Sequence, residues 1–168
     1  MICSPNALTL IKHFEGLRLK AYRCPNNILT IAYGHTQGVK EGDVCTKEQA
    51  DKILQDDVHN FEAQVLKALN ADEISINQFQ FDALVCFAYN LGTYTLIHGS
   101  RNAPVTKTGK LWQALKDKDY ERAKANFLLY SNGGLRGLVI RRTAESMLFD
   151  GQDIDSIMAW VKTEQAKK

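Results

Sequence analysis

A chain of 168 residues, 45% hydrophobic and 24% charged, is long enough to bury one core, split at most into two lobes. Its net charge of +2 suits a polyanionic partner without selecting one, and no basic cluster points to nucleic acid. No apolar run approaches the ~20 residues of a membrane-spanning helix, so no stable membrane insertion is expected.

The N-terminus, MICSPNALTLIKHF, lacks a basic stretch followed by a long apolar one. It does not read as a cleavable signal peptide, and accumulation in the cytoplasm is the expectation. Residues 4–15 read as a helix. Ser4 is a good N-cap, Pro5 suits the first helical position, and Ala7, Leu8, Ile11 and Phe14 share one face. Gly16 is placed to end it. Glu15 therefore falls in the last turn, where a carboxylate meets the negative end of the helix dipole. Stability alone does not favour an acid there.

From 17 to 36 the pattern changes. LKAY and ILTIAY are short and rich in β-formers, and CPNN between them is turn chemistry. The stretch predicts a small irregular hairpin, with Cys24 at its turn and Thr30 on its second strand. The run from Thr46 to Asn70 predicts a long helix. Thr46 and Gln49 form a capping-box pattern, and Ile53, Leu54, Val58, Phe61, Val65 and Leu69 make its apolar stripe.

Residues 77–91, NQFQFDALVCFAYNL, are apolar on most sides and predict a buried central helix ending at Gly92. Residues 93–109 are polar and turn-rich and read as a loop. Helices follow at about 110–116, 119–131 and 137–149, with SNGG separating the last two. A final amphipathic stretch, 153–165, carries Ile154, Ile157, Met158 and Val161 and reads as a helix packed on the body of the protein.

Cys3, Cys24, Cys45 and Cys86 are scattered, with no CxxC or Cys/His ligand spacing. Neither structural zinc nor any other cofactor is expected, and a cytosolic chain keeps such residues as thiols. Cys86 lies in an apolar run and reads as a small buried hydrophobe.

Eight residues separate Glu15 from Cys24, and five separate Cys24 from Thr30. FEGLRLKAY followed by LTIAYGHT resembles the N-terminal signature of phage-type lysozymes, the T4-like and lambdoid endolysins of glycoside hydrolase family 24. That signature is a Glu, eight residues, an Asp or sometimes a Cys, five residues, then a Thr. INQFQFDALVCFAYNLG and GLVIRRTAE resemble further motifs of the lambdoid branch, so the likeness runs from about residue 8 to 150. The resemblance implies an α+β, lysozyme-like fold with a sugar-binding cleft between two lobes. One domain, 1–168, would comprise a β-containing lobe with the first helix (about 1–45), a connecting helix (46–69) and a helical lobe (70–168). The implied activity is hydrolysis of the β-1,4 bond between N-acetylmuramic acid and N-acetylglucosamine in peptidoglycan. The expected protein is a monomer that waits in the host cytoplasm until lysis. The loop YTLIHGSRNAPVTKTG is longer than the resemblance leads one to expect; it either borders the cleft or is a tolerated surface insertion.

By this resemblance Glu15 is the general acid, with Cys24 and Thr30 completing the catalytic set. Glycoside hydrolysis needs a proton for the leaving oxygen and help for an oxocarbenium-like transition state. A cleft wall that desolvates Glu15 would raise its pKa for that task. Taken alone, a Glu at this position reads as a surface ion pair. Cys24 stands where an aspartate is usual. A thiolate can act as base or nucleophile, but an ordinary thiol is mostly protonated at neutral pH. Thr30 offers a hydroxyl to orient water or sugar; alone, it reads as a β-branched strand residue. His35 invites an acid–base role, yet the family pattern suggests a structural histidine paired with an acid of the long helix, Asp57 matching best. Arg141 and Arg142 either place a cation near Glu15 or lie on the surface. A lytic transglycosylase, working with one acid, and an inactive wall-binding homologue are the rival expectations.

Overall fold

The computed structural model describes residues 1–167. Helix α1 (Pro5–Glu15) is capped by the Ser4 side chain, which accepts from the Asn6 amide, and stops at Gly16, whose φ is +69°. Its buried residues are Ala7, Leu10 and Ile11. Leu10 thus takes the core position expected of Leu8, which is only half-buried.

Strands β1 (Arg18–Arg23) and β2 (Leu29–Ala32) pair antiparallel, with a bulge between Arg18 and Tyr22. The irregular hairpin is as expected. Unanticipated is a short continuation on the other edge of β1: the Ala21 amide donates to Asp43 O and the Cys45 amide to Leu19 O.

Helix α2 (Lys47–Ala71) starts with the full Thr46–Gln49 capping box, and α3 (Gln78–Leu91) with the same device at Asn77 and Gln80. Residues Gln80 to Ala88 of α3 are all buried, so this helix is the centre of the core. It packs against α1, α2, α4 (Thr93–His98) and α7 (Arg136–Phe149). Each fully buried Leu or Phe here contributes on the order of 2 kcal/mol.

Helix α4 corrects the reading of 93–109 as loop throughout. Its β-branched, aromatic sequence gives no helical signal, but packing buries Thr93, Thr95 and Leu96, and tertiary contact overrides propensity. The loop that follows is pinched shut: the Gly109 amide donates to Ile97 O at 2.7 Å, and a Cβ on Gly109 would stand 2.6 Å from Gly99 N. Only glycine fits at that crossing.

Helices α5 (Lys110–Lys116), α6 (Tyr120–Asn126) and α8 (Ile154–Ala166) complete the helical body. The stretch expected to be one helix over 119–131 divides into α6 and a 3₁₀ turn, Phe127–Tyr130. In α8, Ile157 and Val161 are buried. No helix among the described residues is long and apolar enough to cross a membrane.

The first residues are clasped by two buried carboxylates. Glu62 accepts from the Cys3 amide at 2.6 Å, and Asp82 accepts from the Ser4 amide at 3.0 Å. Each buried acid finds the donors it needs. Together they seat the start of α1 against α2 and α3, and so set where Glu15 comes to lie.

Candidate active site

Glu15 ends α1 with its side chain about one-fifth exposed. Arg141 Nη1 donates to Glu15 Oε1 at 2.7 Å. Arg141 is nearly buried and comes from α7, so this contact joins the two ends of the chain. The other oxygen, Oε2, faces a backbone turn. A Cβ built on Gly34 would stand 3.4 Å from it. Gly34 also has φ +95°, a conformation that disfavours any side chain. The carboxyl thus has one oxygen tied to Arg141 and the other lying toward Gly34.

The turn holding Gly34 is tight. The amides of Ile31 and His35 each donate to the other's carbonyl at 2.9 Å, enclosing Ala32, Tyr33 and Gly34. Two tyrosines brace it. The Tyr89 hydroxyl donates to Tyr33 O at 2.8 Å, and the Tyr33 hydroxyl donates to Asp51 Oδ1 at 3.2 Å. Lys12 reaches the same Asp51 oxygen at 2.7 Å and, with that hydrogen bond, holds the carboxyl below its ordinary range. The brace therefore ties the Gly34 turn to α1, α2 and α3.

His35 follows the turn. Its Nδ1 lies 2.8 Å from Asp57 Oδ2, and its Nε2 lies 2.8 Å from Gln37 O. Both partners are acceptors, and together they engage both ring nitrogens. The pairing with Asp57 is the one expected, and it engages Nδ1 while Gln37 O engages Nε2. His35→Asn is expected to lose about 1–3 kcal/mol of stability while keeping most of its activity. Thermal melts beside a wall-clearing assay check this. An unchanged melt with activity abolished would make His35 catalytic instead.

Cys24 and Thr30 form the second half of the site. Cys24 closes β1 into the turn: its amide donates to Ile28 O at 3.0 Å, and the Asn27 amide donates to Cys24 O at 2.8 Å. The sulfur is partly exposed. The backbone amides of Ile28 and Asn26, then the Thr30 hydroxyl, hold the thiol below its ordinary pKa by hydrogen-bonding the thiolate. Thr30 is buried on β2, and its hydroxyl lies 3.1 Å from Ile28 O. Its single proton serves the carbonyl or the sulfur, one at a time.

The structure thus makes two groups of the three expected residues. Cys24 and Thr30 are neighbours at the hairpin turn. Glu15 stands with Arg141 and Gly34. Strand β2 joins the groups, running from Thr30 into the Gly34 turn.

Beside Gly34 opens a cleft of about 700 Å³, walled by residues of the 34–37 turn, by α2 and by Tyr89. Asn60 and Gln64 present amides to it, and Phe61 and Tyr89 present rings, 5.4 Å apart between centroids. Amides and aromatic faces suit a neutral, polyhydroxylated ligand better than a charged one. No residue of the 99–109 loop lines it among the described residues. Asn60, Gln64, Tyr89 and Gly34 were not singled out in the sequence. The glycine of YGHT carried a signal; the α2 amides looked like ordinary exposed helix positions.

Residues 12–145 match the family model described as phage lysozyme. An endolysin of the Acyrthosiphon pisum secondary endosymbiont phage 1 is 38% identical over 158 residues, covering 89% of this chain and 99% of its own. An endolysin of Bacillus phage B103 is 39% identical over 155 residues, covering 89% of this chain but 54% of its own, so this chain spans about half of that protein. The solved muramidase domain of SpmX from Asticaccaulis excentricus superposes with a TM-score of 0.71 at 30% identity, covering 87% of this chain and 95% of the domain. With the glutamate, the hairpin and the long capped helix in place, the chain belongs to the phage lysozyme family.

Proposed function

We propose that the protein is an endolysin of the muramidase type, hydrolysing the β-1,4 bond between N-acetylmuramic acid and N-acetylglucosamine in peptidoglycan. The observation that carries this reading is the Glu15 carboxyl. One oxygen is fixed to Arg141 at 2.7 Å, and the other lies toward Gly34, a residue that lines the cleft. A proton on Oε2 passes to the glycosidic oxygen as the bond to the anomeric carbon breaks. The leaving sugar departs with that proton as a hydroxyl.

Cys24 serves the other side of the reaction, and its lowered pKa supports the role. Acting as base, its thiolate takes the proton of the attacking water and the anomeric centre inverts. Acting as nucleophile, its sulfur bonds to that carbon, and water then displaces it with Glu15 taking back a proton, so the configuration is retained. Proton NMR of the first-formed product anomer decides between them. Thr30 orients the water or the sugar. We read the molecule as one domain: a β-bearing lobe with α1, the α2 connector and a helical lobe. It acts as a monomer, held in the cytoplasm until the inner membrane is permeabilised.

Mass spectrometry of digested peptidoglycan tests the function. Fragments with reducing ends are expected. Anhydro ends would make the enzyme a transglycosylase, and wall binding without soluble fragments would make it an inactive homologue.

A further inference from the structure

Behind the Glu15–Arg141 pair lies a charge cluster that the chemistry above does not use. Glu145 and Arg142 of α7 have side chains 1% and 0% exposed. Glu145 Oε1 accepts from Arg142 Nη2 at 2.8 Å and from Arg141 Nε at 3.2 Å. Arg142 Nη2 also donates to Asn90 Oδ1 at 2.8 Å, and its guanidinium carbon sits 4.7 Å from the centre of the Phe87 ring. The cluster is incompletely satisfied. Arg142 Nε and Nη1 and Glu145 Oε2 have no hydrogen-bond partner among the described residues.

Stability is a poor reason for such a cluster. Burying four charged groups costs desolvation, and apolar side chains of similar volume commonly do as well or better. Its charges, however, close on the acid: Glu15 and Glu145 against Arg141 and Arg142, two of each sign. Remove Glu145, and two guanidinium ions face Glu15 alone. Arg141 also loses the acceptor that holds its Nε, while its Nη1 binds Glu15.

We propose that Glu145, with Arg142, is a positioning residue for Glu15. It aims Arg141 at Oε1, so that Oε2 is the oxygen that reacts, and it cancels the second buried cation so that Glu15 can still take up a proton. This rests on the reading of Glu15 as the acid. Titratable groups of α3 also face the cluster. Cys86 lies toward Glu145 and both arginines, Tyr89 lies toward Glu15, Arg141 and Asp57, and Asp82 lies toward Cys86. Burial pushes the Cys86 thiol and the Tyr89 phenol up, so both are neutral at working pH. Asp82 is engaged by Ser4 and Gln78. Glu145 itself is pushed up by burial, against the pull of Arg142 and Arg141.

The test is a direct titration of Glu15 by carbon-13 NMR of glutamate-labelled protein, the signal assigned by its loss in Glu15→Gln. Glu145→Gln keeps the shape and removes the charge. Its Glu15 midpoint is expected to fall by about one pH unit, and turnover at neutral pH to fall about tenfold with it. Arg142→Met removes a cation while keeping an apolar stem over Phe87, and should move the midpoint upward. The double variant should bring it back toward wild type. A folded Glu145→Gln with its Glu15 midpoint unmoved overturns the proposal. Should that variant not fold, a midpoint that fails to rise in Arg142→Met overturns it equally. Activity surviving in Glu15→Gln would instead remove the acid assignment, whichever way the midpoints move.

Discussion

Glu15→Gln is expected to cut lytic activity on purified walls by at least ~100-fold, the lower end of what a positioned acid contributes. The substitution isolates the proton. A glutamine oxygen still accepts from Arg141 Nη1, which lies 2.7 Å from the glutamate in the wild type. The amide nitrogen then takes the place of Oε2 toward Gly34, where the backbone leaves room. The size of the side chain is unchanged, so α1 has no reason to repack. The ion pair becomes a hydrogen bond from a charged donor to a neutral acceptor, which costs roughly 1 kcal/mol. Turbidity clearing and thermal melts on the same preparation separate the two effects. A well-folded Glu15→Gln that clears walls at near wild-type rate would end the assignment of Glu15 as the acid.

What could be read in advance divides along the range of the interactions. Helices α1, α2 and α3 announce themselves through Ser4–Pro5, Thr46–Gln49 and the long apolar run around Cys86, and each of these is local chemistry. The hairpin turn at Cys24 is equally local. Helix α4 is illegible in the sequence because nothing in TYTLIH favours a helix; Thr93, Thr95 and Leu96 become helical by being buried. The pairing of residues 43–45 with β1 is equally hidden, because backbone hydrogen bonds to a bulged edge leave no mark on side-chain pattern. In the site, VIRRTAE offered two arginines without saying which faces the acid. Arg141 reaches Glu15 across 126 positions of sequence, while its neighbour turns to Asn90 and Glu145. The residue spacing named Cys24 and Thr30, but not that amides of the turn hold the thiol below its ordinary range. That depends on backbone directions at Asn26 and Ile28, which the letters CPNN do not specify.

Those amides make Cys24 the sharper of the two tests. Cys24→Ala is expected to lose at least ~100-fold in turnover, as removal of a catalytic base or nucleophile does. Cys24→Ser should fare little better, because the same amides cannot ionise a hydroxyl whose intrinsic acidity is so much weaker. Cys24→Asp should keep substantial activity: a carboxylate is ionised without help and accepts from the same Ile28 and Asn26 amides. Thiol alkylation should inactivate the wild type and spare Cys24→Asp. Its rate should climb with pH through a midpoint below that of an ordinary thiol, because the lowered pKa supplies thiolate earlier. Thr30→Val removes one donor to the sulfur and should move that midpoint upward. Cys3 and Cys86 compete poorly for reagent, since burial pushes both thiols up. Cys45 is half-buried, and the Asp variant controls for its labelling. Near wild-type turnover in Cys24→Ala would sink the assignment. The turn amides would then be holding a bystander, and Glu15 would be working with Thr30 and water alone.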